Sequence, residues 1–494
     1  MTATTEIVHL SAVELAELIK SGKISCLEVV MAFLNHIKIH NKALNAFVTI
    51  DAKGAVHRAK QADEALARGE IWGVMHGVPV TIKDQFATKN IRTTASLPQY
   101  YKYIPDDNAV AVSRWLDAGA IILGKTNLPP MAMDYQTRSP ISGVTNNPWN
   151  IAYTSGGSSG GGAAAVAAGM SPLDLASDLG GSIRLPAGFC GIFGMKATEN
   201  SIPGEGAFPN WPDSGINKIR HMLSYGPLAR SVGDLRLGLS VMAGLGNNPL
   251  ATSQFSGNKV GGKKRSDISI AFIDDFGQMP IDPEVKHLTR RAIEKVEKEG
   301  IHVKYENFHH IDFESVRQLY EKIMDMEFGT NLKPLQRVRF YLLGKRKRKK
   351  IGMENLAYPI TYKKYIRILS EKECLATKLE ILLSKHDVLI CPISPMTAFK
   401  HHSTNKFHGI IPIYDPLTVD GNKVNYWKTM GHFTILFNLT GNPVVVVPVG
   451  VTGKGLPVGV QIVAKKWQDM KLLDIAEELN KIIDGFRRPP VDSL

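Results

Sequence analysis

Residues 156–188 constrain this chain more than any other stretch. They read Gly-Gly-Ser-Ser-Gly-Gly-Gly at the start and Leu-Gly-Gly-Ser-Ile-Arg-Leu-Pro-Ala-Gly at the end. Two serines, Ser158 and Ser182, therefore stand in two separate glycine-rich turns. Glycine adopts positive φ at no steric cost, so such a turn can aim bare backbone amides at one point. A serine there can attack a carbonyl while neighbouring N–H groups hold the oxyanion that forms. Between the turns, Ala163 to Met170 is Ala, Val and Gly up to its last residue, which predicts a tightly packed, buried helix. The second turn lies directly after Asp178 and before Arg184. The pattern points to acyl transfer.

Such a site needs a base, and no histidine lies near either serine in sequence. Lys83 ends the apolar stretch Val78-Pro-Val-Thr-Ile-Lys-Asp84, which reads as a strand. Lysines are rarely buried unless paired or functional. A lysine is a base only when neutral, and its ordinary pKa of ~10.4 keeps it charged near pH 7. Burial in an apolar, serine-lined pocket can bring that value to ~7–8. Taken alone, Lys83 also fits a strand-end lysine whose ammonium reaches solvent.

Two familiar patterns compete. Gly119-Ala-Ile-Ile-Leu-Gly124-Lys125-Thr126 spells a nucleotide phosphate loop. Its four middle residues want to be a buried strand, however, and Pro129-Pro130 blocks the helix that should follow. Gly157-Ser158-Ser159-Gly160-Gly161 also satisfies the nucleophile elbow of α/β-hydrolases, with Ser159 as nucleophile. That reading needs a histidine, from His401, His402, His408 or His432, and an acid such as Asp387 or Asp415. Nothing in their context singles one out, and the second turn is left without a task.

Strand and helix signals alternate to about residue 245, which predicts an α/β layered core. Ser11 and Glu14 form a capping-box pattern, with helices predicted after it, over Leu27 to Ile39 and over Ala52 to Ala67. Strands are expected at Val78 to Ile82, Ala120 to Leu123, Ile268 to Ile273, Val388 to Cys391, Pro443 to Val449 and Val458 to Val463. Further helices are expected over Pro283 to Lys298 and Met470 to Ile483. Residues 255–430 are more charged and irregular, and no repeat or linker is visible. One domain with an inserted variable region is the simplest organisation.

The features together resemble the amidase signature family over most of the chain. The resemblance is carried by Gly77 to Asp84, Gly119 to Asn127, residues 156–188, Phe189-Cys-Gly-Ile-Phe-Gly-Met-Lys196, Gly441-Asn-Pro-Val and Leu456-Pro-Val-Gly-Val-Gln-Ile462. The 24 residues from Ser158 to Ser182 are also the family's spacing. The resemblance implies a single α/β domain over 1–494, a mixed central β-sheet covered by helices on both faces. Its core would span 70–245 and 435–485, with a variable specificity region at about 255–430. It also implies roles: Ser182 as acylated nucleophile, Ser158 in a cis linkage as proton bridge, and Lys83 as base. The amides of Leu179, Gly180, Gly181 and Ser182 would form the oxyanion hole, with Ser159, Asp178 and Arg184 in support. Gly162 and Ser177 depart from the family's commoner Ser and Thr. No metal or cofactor is implied.

The implied reaction is hydrolysis of a carboxylic amide to the acid and ammonia or an amine. Members act on fatty-acid amides, aryl amides, peptide amides, malonamide-like compounds and the glutaminyl substrates of tRNA amidation. Specificity is expected in Met131 to Arg138, Ser201 to Gly215 and Met324 to Tyr341. Their aromatic and Met content favours an apolar acyl or aryl group over glutamine. The alternative is the glutamine-hydrolysing subunit of a tRNA-dependent amidotransferase.

The net charge of +13 concentrates in Lys345 to Lys350 and Lys259 to Arg265. These runs read as solvated surface, and no nucleic-acid partner is expected. Phe340 to Leu343 leaves membrane-surface contact open, as a homodimer is also open. The N-terminus shows neither the basic head nor the apolar run of a signal peptide. A cytoplasmic location with Cys26, Cys190, Cys374 and Cys391 as free thiols is expected.

Overall fold

The structure, a computed structural model, describes residues 6–209, 219–243, 265–277, 279–308, 311–329, 361–405, 407–408, 411–483 and 485–491. Lys345 to Lys350, Phe340 to Leu343 and the Lys259 to Lys264 portion of the other basic run lie outside these residues. So do parts of Ser201 to Gly215 and Met324 to Tyr341.

Eleven strands form one mixed sheet. In chain order they are β1 (Phe47–Ile50), β2 (Pro79–Lys83), β3 (Ile121–Thr126), β4 (Leu173–Asp178), β5 (Phe193–Lys196) and β6 (Ser224–Ala229), followed by β7 (Ser269–Phe272), β8 (His302–Tyr305), β9 (Val388–Pro392), β10 (Val444–Val451) and β11 (Pro457–Val463). Their spatial order is β1-β3-β2-β4-β6-β5-β10-β11-β9-β7-β8. β2 runs parallel to both its neighbours, β3 and β4, whereas the pairs from β4 through to β9 are antiparallel. β7 to β9, from the irregular 255–430 stretch, extend this same sheet.

The helices are α1 (Ala12–Lys20), α2 (Cys26–Leu44), α3 (Ala52–Ala67), α4 (Val110–Asp117), α5 (Gly160–Ala167), α6 (Arg184–Cys190) and α7 (Val232–Met242). After these come α8 (Pro283–Lys298), α9 (Phe313–Gly329), α10 (Tyr362–Leu383), α11 (Tyr426–Gly431), α12 (Ile435–Thr440) and α13 (Asp469–Asn480). The expected Ser11–Glu14 capping box is formed, with Glu14 N–H donating to Ser11 Oγ at 3.1 Å and Ser11 N–H to Glu14 Oε2 at 2.8 Å. Both sheet faces are covered. Successive residues of one strand enter different apolar clusters: Leu175 and Val445 pack with Val112, Leu235 and Leu472, while Ala176 and Val446 pack with Ala163 and Leu185. Two-sided burial explains why β2 and the start of β10 read as continuous apolar runs. Among the described residues, no helix is long and apolar enough to cross a membrane.

Two differences from the expected elements bear on the site. The small-residue helix starts at Gly160, three residues early, and ends at Ala167. Gly160 to Gly162 are thus its first turn, where the helix presses against Thr137, against backbone at Gly161 and against the Asp174 carboxyl. A Cβ at Gly161 would collide with the Asn127 backbone nitrogen. The strand in the phosphate-loop look-alike runs on to Thr126 and buries Lys125. Lys125 Nζ donates to the Phe86 carbonyl and to the Thr88 and Thr93 hydroxyls, so the segment is a strand and not an amide cradle.

Candidate active site

The parallel β3-β2-β4 unit delivers Lys83 to the C-terminal edge of β2, and α5 packs against β2, β4, β6 and α6. This brings the first serine turn to the lysine. Lys83 is fully buried, Ser158 is 1% exposed and Ser182 is 8% exposed. Lys83 Nζ lies 2.8 Å from Ser158 Oγ, 2.8 Å from Ser159 Oγ and 3.0 Å from Ser177 Oγ. The peptide joining Gly157 to Ser158 is cis. The turns are tied together by Ser159 N–H, which donates to the Ser182 carbonyl at 3.2 Å. Burial lowers the Lys83 pKa to about 7, against the attraction of Asp174 and Asp178, which resists the drop.

The three hydroxyls around Lys83 are not equivalent. Ser177 donates its proton to Gln85 Oε1 at 2.6 Å, and Ser159 donates to the Ser177 carbonyl at 3.3 Å. Both must therefore accept from the lysine. A neutral amine has two N–H donors and one lone pair, so Ser158 is the hydroxyl placed to donate to that lone pair.

The Ser182 turn is held from below by an ion pair. Arg184 and Asp178 are both fully buried and meet through two contacts of 2.9 Å. Burial alone would push the Asp178 carboxyl up; the Arg184 charge and the hydrogen bonds from Arg184 and Asn438 hold it well below the usual carboxylate range. Arg184 also donates to the Thr434 carbonyl, Gln461 Oε1 and Asn438 Oδ1 at 3.0, 3.1 and 2.6 Å.

Gly181 has φ +117, open only to glycine, and a Cβ there would lie 2.8 Å from Thr434 Oγ1. The peptide between Gly180 and Gly181 is pinned at both ends. Its carbonyl accepts from Thr434 Oγ1 at 2.6 Å and Tyr135 OH at 3.3 Å, and its N–H donates to Asp178 Oδ1 at 2.8 Å. The Gly181 amide, expected among the oxyanion donors, is thus already engaged.

A family model described as Amidase matches residues 28–473. The chain belongs to the amidase family. A curated relative, a glutamyl-tRNA(Gln) amidotransferase subunit from Caldanaerobacter subterraneus subsp. tengcongensis, is 32% identical, covering 98% of each chain. The solved 6-aminohexanoate cyclic dimer hydrolase in complex with its substrate is 27% identical, with a TM-score of 0.79 over 98% of this chain and 99% of that one. The corresponding glutamyl-tRNA(Gln) amidotransferase subunit of Thermotoga maritima, also solved, is 25% identical, with a TM-score of 0.74 over 98% of both chains.

In this amidase-family hydrolase the competing elbow reading finds no support. His401 Nε2 lies against the Ile151 carbonyl at 3.1 Å, and the His402 backbone is bonded to Gln136. His432 sits among Phe276, Phe313 and Phe433, where burial lowers its pKa to about 4. The His408 side chain lies outside the described residues. Ser159 is bonded to Lys83 and the Ser177 carbonyl instead. Sequence reasoning missed Gln85, Tyr320, Thr434, Asn438 and Gln461; Tyr135 falls inside the expected Met131 to Arg138 segment. The legible signal was a lone amide inside an apolar run, Phe437-Asn438-Leu439 and Val460-Gln461-Ile462.

Proposed function

We propose that this chain hydrolyses an amide through an acyl ester on Ser182, with Ser158 as proton bridge and Lys83 as base. The observation that carries this is the hydroxyl order around Lys83: two serines are committed to accept, which leaves Ser158 as donor to the neutral amine. As Ser182 Oγ bonds to the substrate carbonyl carbon, its proton passes to Ser158, and the Ser158 proton passes to Lys83. The amides of Leu179, Gly180 and Ser182 are the donors for the oxyanion, because the Gly181 amide serves Asp178. Collapse expels the amine, which takes the proton back along the same path. Water then frees the acid by the reverse sequence.

Two substrate classes divide the support. The curated relatives favour the alternative expected from the sequence, a subunit that hydrolyses glutamine for tRNA amidation, over the stand-alone amidase expected first. Tyr135 stands over Gly180 with Tyr426 and Trp427 against it, and Tyr320 OH falls 2.7 Å from a Cβ placed at Gly180. This aromatic wall favours an apolar or aryl acyl group. A kinetic panel of the purified chain on glutamine, aryl amides and acyl amides separates the classes. The stand-alone reading expects turnover of an apolar amide without partners, at kcat/KM at least about tenfold above glutamine, a difference of ~1.4 kcal/mol. Turnover of glutamine alone, appearing only with partner subunits, establishes the other.

A further inference from the structure

Asp174 is one of the buried acids that the reaction leaves unused. Asp174 lies on β4 opposite Thr81 of β2 in the parallel ladder, so its side chain shares the sheet face of Lys83. Its carboxyl is fully buried. Thr126 Oγ1 donates to Oδ1 at 3.0 Å; no group among the described residues donates to Oδ2 with hydrogen-bond geometry, although the Thr81 hydroxyl lies close enough to hold the carboxyl's pKa down. The Thr81 hydroxyl beside it points to the Leu173 carbonyl at 3.4 Å. Space for the carboxyl comes from Gly162 on α5, where a Cβ would collide with Oδ2.

A buried carboxyl with an unbonded oxygen is costly unless it answers a charge. The charges that bear on it are Lys83 from β2 and Lys125 from β3, and Lys125 has its own partner, Asp84, at 3.8 Å. Farther along β4, Asp178 is taken up by Arg184. α5, the helix above, carries only Gly, Ala and Val. Among the charges acting on Lys83, Asp174 is the strongest.

We propose that Asp174 is a positioning residue for proton transfer, the counter-charge to the Lys83 ammonium that forms when the Ser182 proton arrives through Ser158. This rests on the reading of Lys83 as base. Asp174 gives and takes no proton in the cycle: the proton that leaves Ser182 returns to the leaving nitrogen. Burial raises the Asp174 carboxyl's pKa and lowers that of the Lys83 amine, so the charge of each bears on the other's.

The test uses the full chain with Asp174→Asn, and a second variant, Gly162→Ser with Asp174→Ala, which refills the space without the carboxyl. Two readouts are taken. One is the titration of the ¹³C-labelled lysine resonance that disappears in Lys83→Met; the other is the acid limb of kcat/KM. Removing a carboxylate lowers a neighbouring lysine's pKa, so both midpoints are expected to fall by about one pH unit or more. The plateau rate should drop about tenfold as the ammonium loses its counter-charge. A Lys83 resonance that titrates at the wild-type pH in either folded variant overturns the role of Asp174. Undiminished turnover in Lys83→Met would instead overturn the base reading, whatever the Asp174 variants do.

Discussion

Lys83→Met is expected to lower amide turnover by about 10²–10⁴-fold, the usual worth of a positioned general base, while the chain stays folded. Methionine matches the apolar part of the lysine stem, which lies in a fully buried site. What disappears is the lone pair that receives the Ser158 proton. Arginine should not rescue, because a guanidinium keeps its charge at any working pH. The sign of the pH dependence follows from the same group. Burial holds Lys83 near pKa 7, so the base is neutral above that pH and charges as pH falls through it. Wild-type kcat/KM should therefore decline on the acid side with a midpoint near 7. Substantial activity in Lys83→Arg, or an acid limb removed only by changing a histidine, would contradict this.

The second large effect concerns stability. Arg184→Met is expected to destabilise the fold by about 3–5 kcal/mol, since it leaves the Asp178 carboxylate buried and uncompensated. Asn438, Gln461 and the Thr434 carbonyl lose a shared donor at the same time. The Asp178 carboxyl is held below its ordinary value, so the pair's contribution is present above pH ~4 and fades as pH falls further. Denaturant melts at pH 7 and at pH 3 measure both statements. The variant's deficit should be large at pH 7 and smaller at pH 3. An equal midpoint for variant and wild type at pH 7 would show that the pair is dispensable.

The serine turns and the lysine strand were legible because their chemistry is local. Glycine runs fix what the backbone can do, and a lysine closing Val-Pro-Val-Thr-Ile announces itself. The edges of α5 were misplaced because its first three residues are glycines, which read as turn. The approach of Thr137, Asn127 and Asp174 explains why they are helical glycines. The engagement of the Gly181 amide was also invisible, since Asp178 is close in sequence but Thr434 and Tyr135, which turn the peptide, come from distant segments. Arg184 was expected to support the turn; its further partners lie more than 240 residues away, at Thr434, Asn438 and Gln461. Substrate choice was least legible. Of the segments expected to govern it, Met131 to Arg138 supplies Tyr135 over Gly180, whereas Tyr320, which also reaches Gly180, precedes Met324 to Tyr341.

The central claim is that Ser182 carries the acyl group, and active-site labelling tests it most directly. The full chain is treated with a fluorophosphonate, which phosphonylates an activated serine, and the adduct is located by intact mass and peptide mapping. One adduct per chain on Ser182 is predicted, absent after Ser182→Ala and slowed strongly in Lys83→Met. An adduct on Ser159 would mean that the first turn is a nucleophile elbow, and the Ser182, Ser158 and Lys83 roles would have to be abandoned.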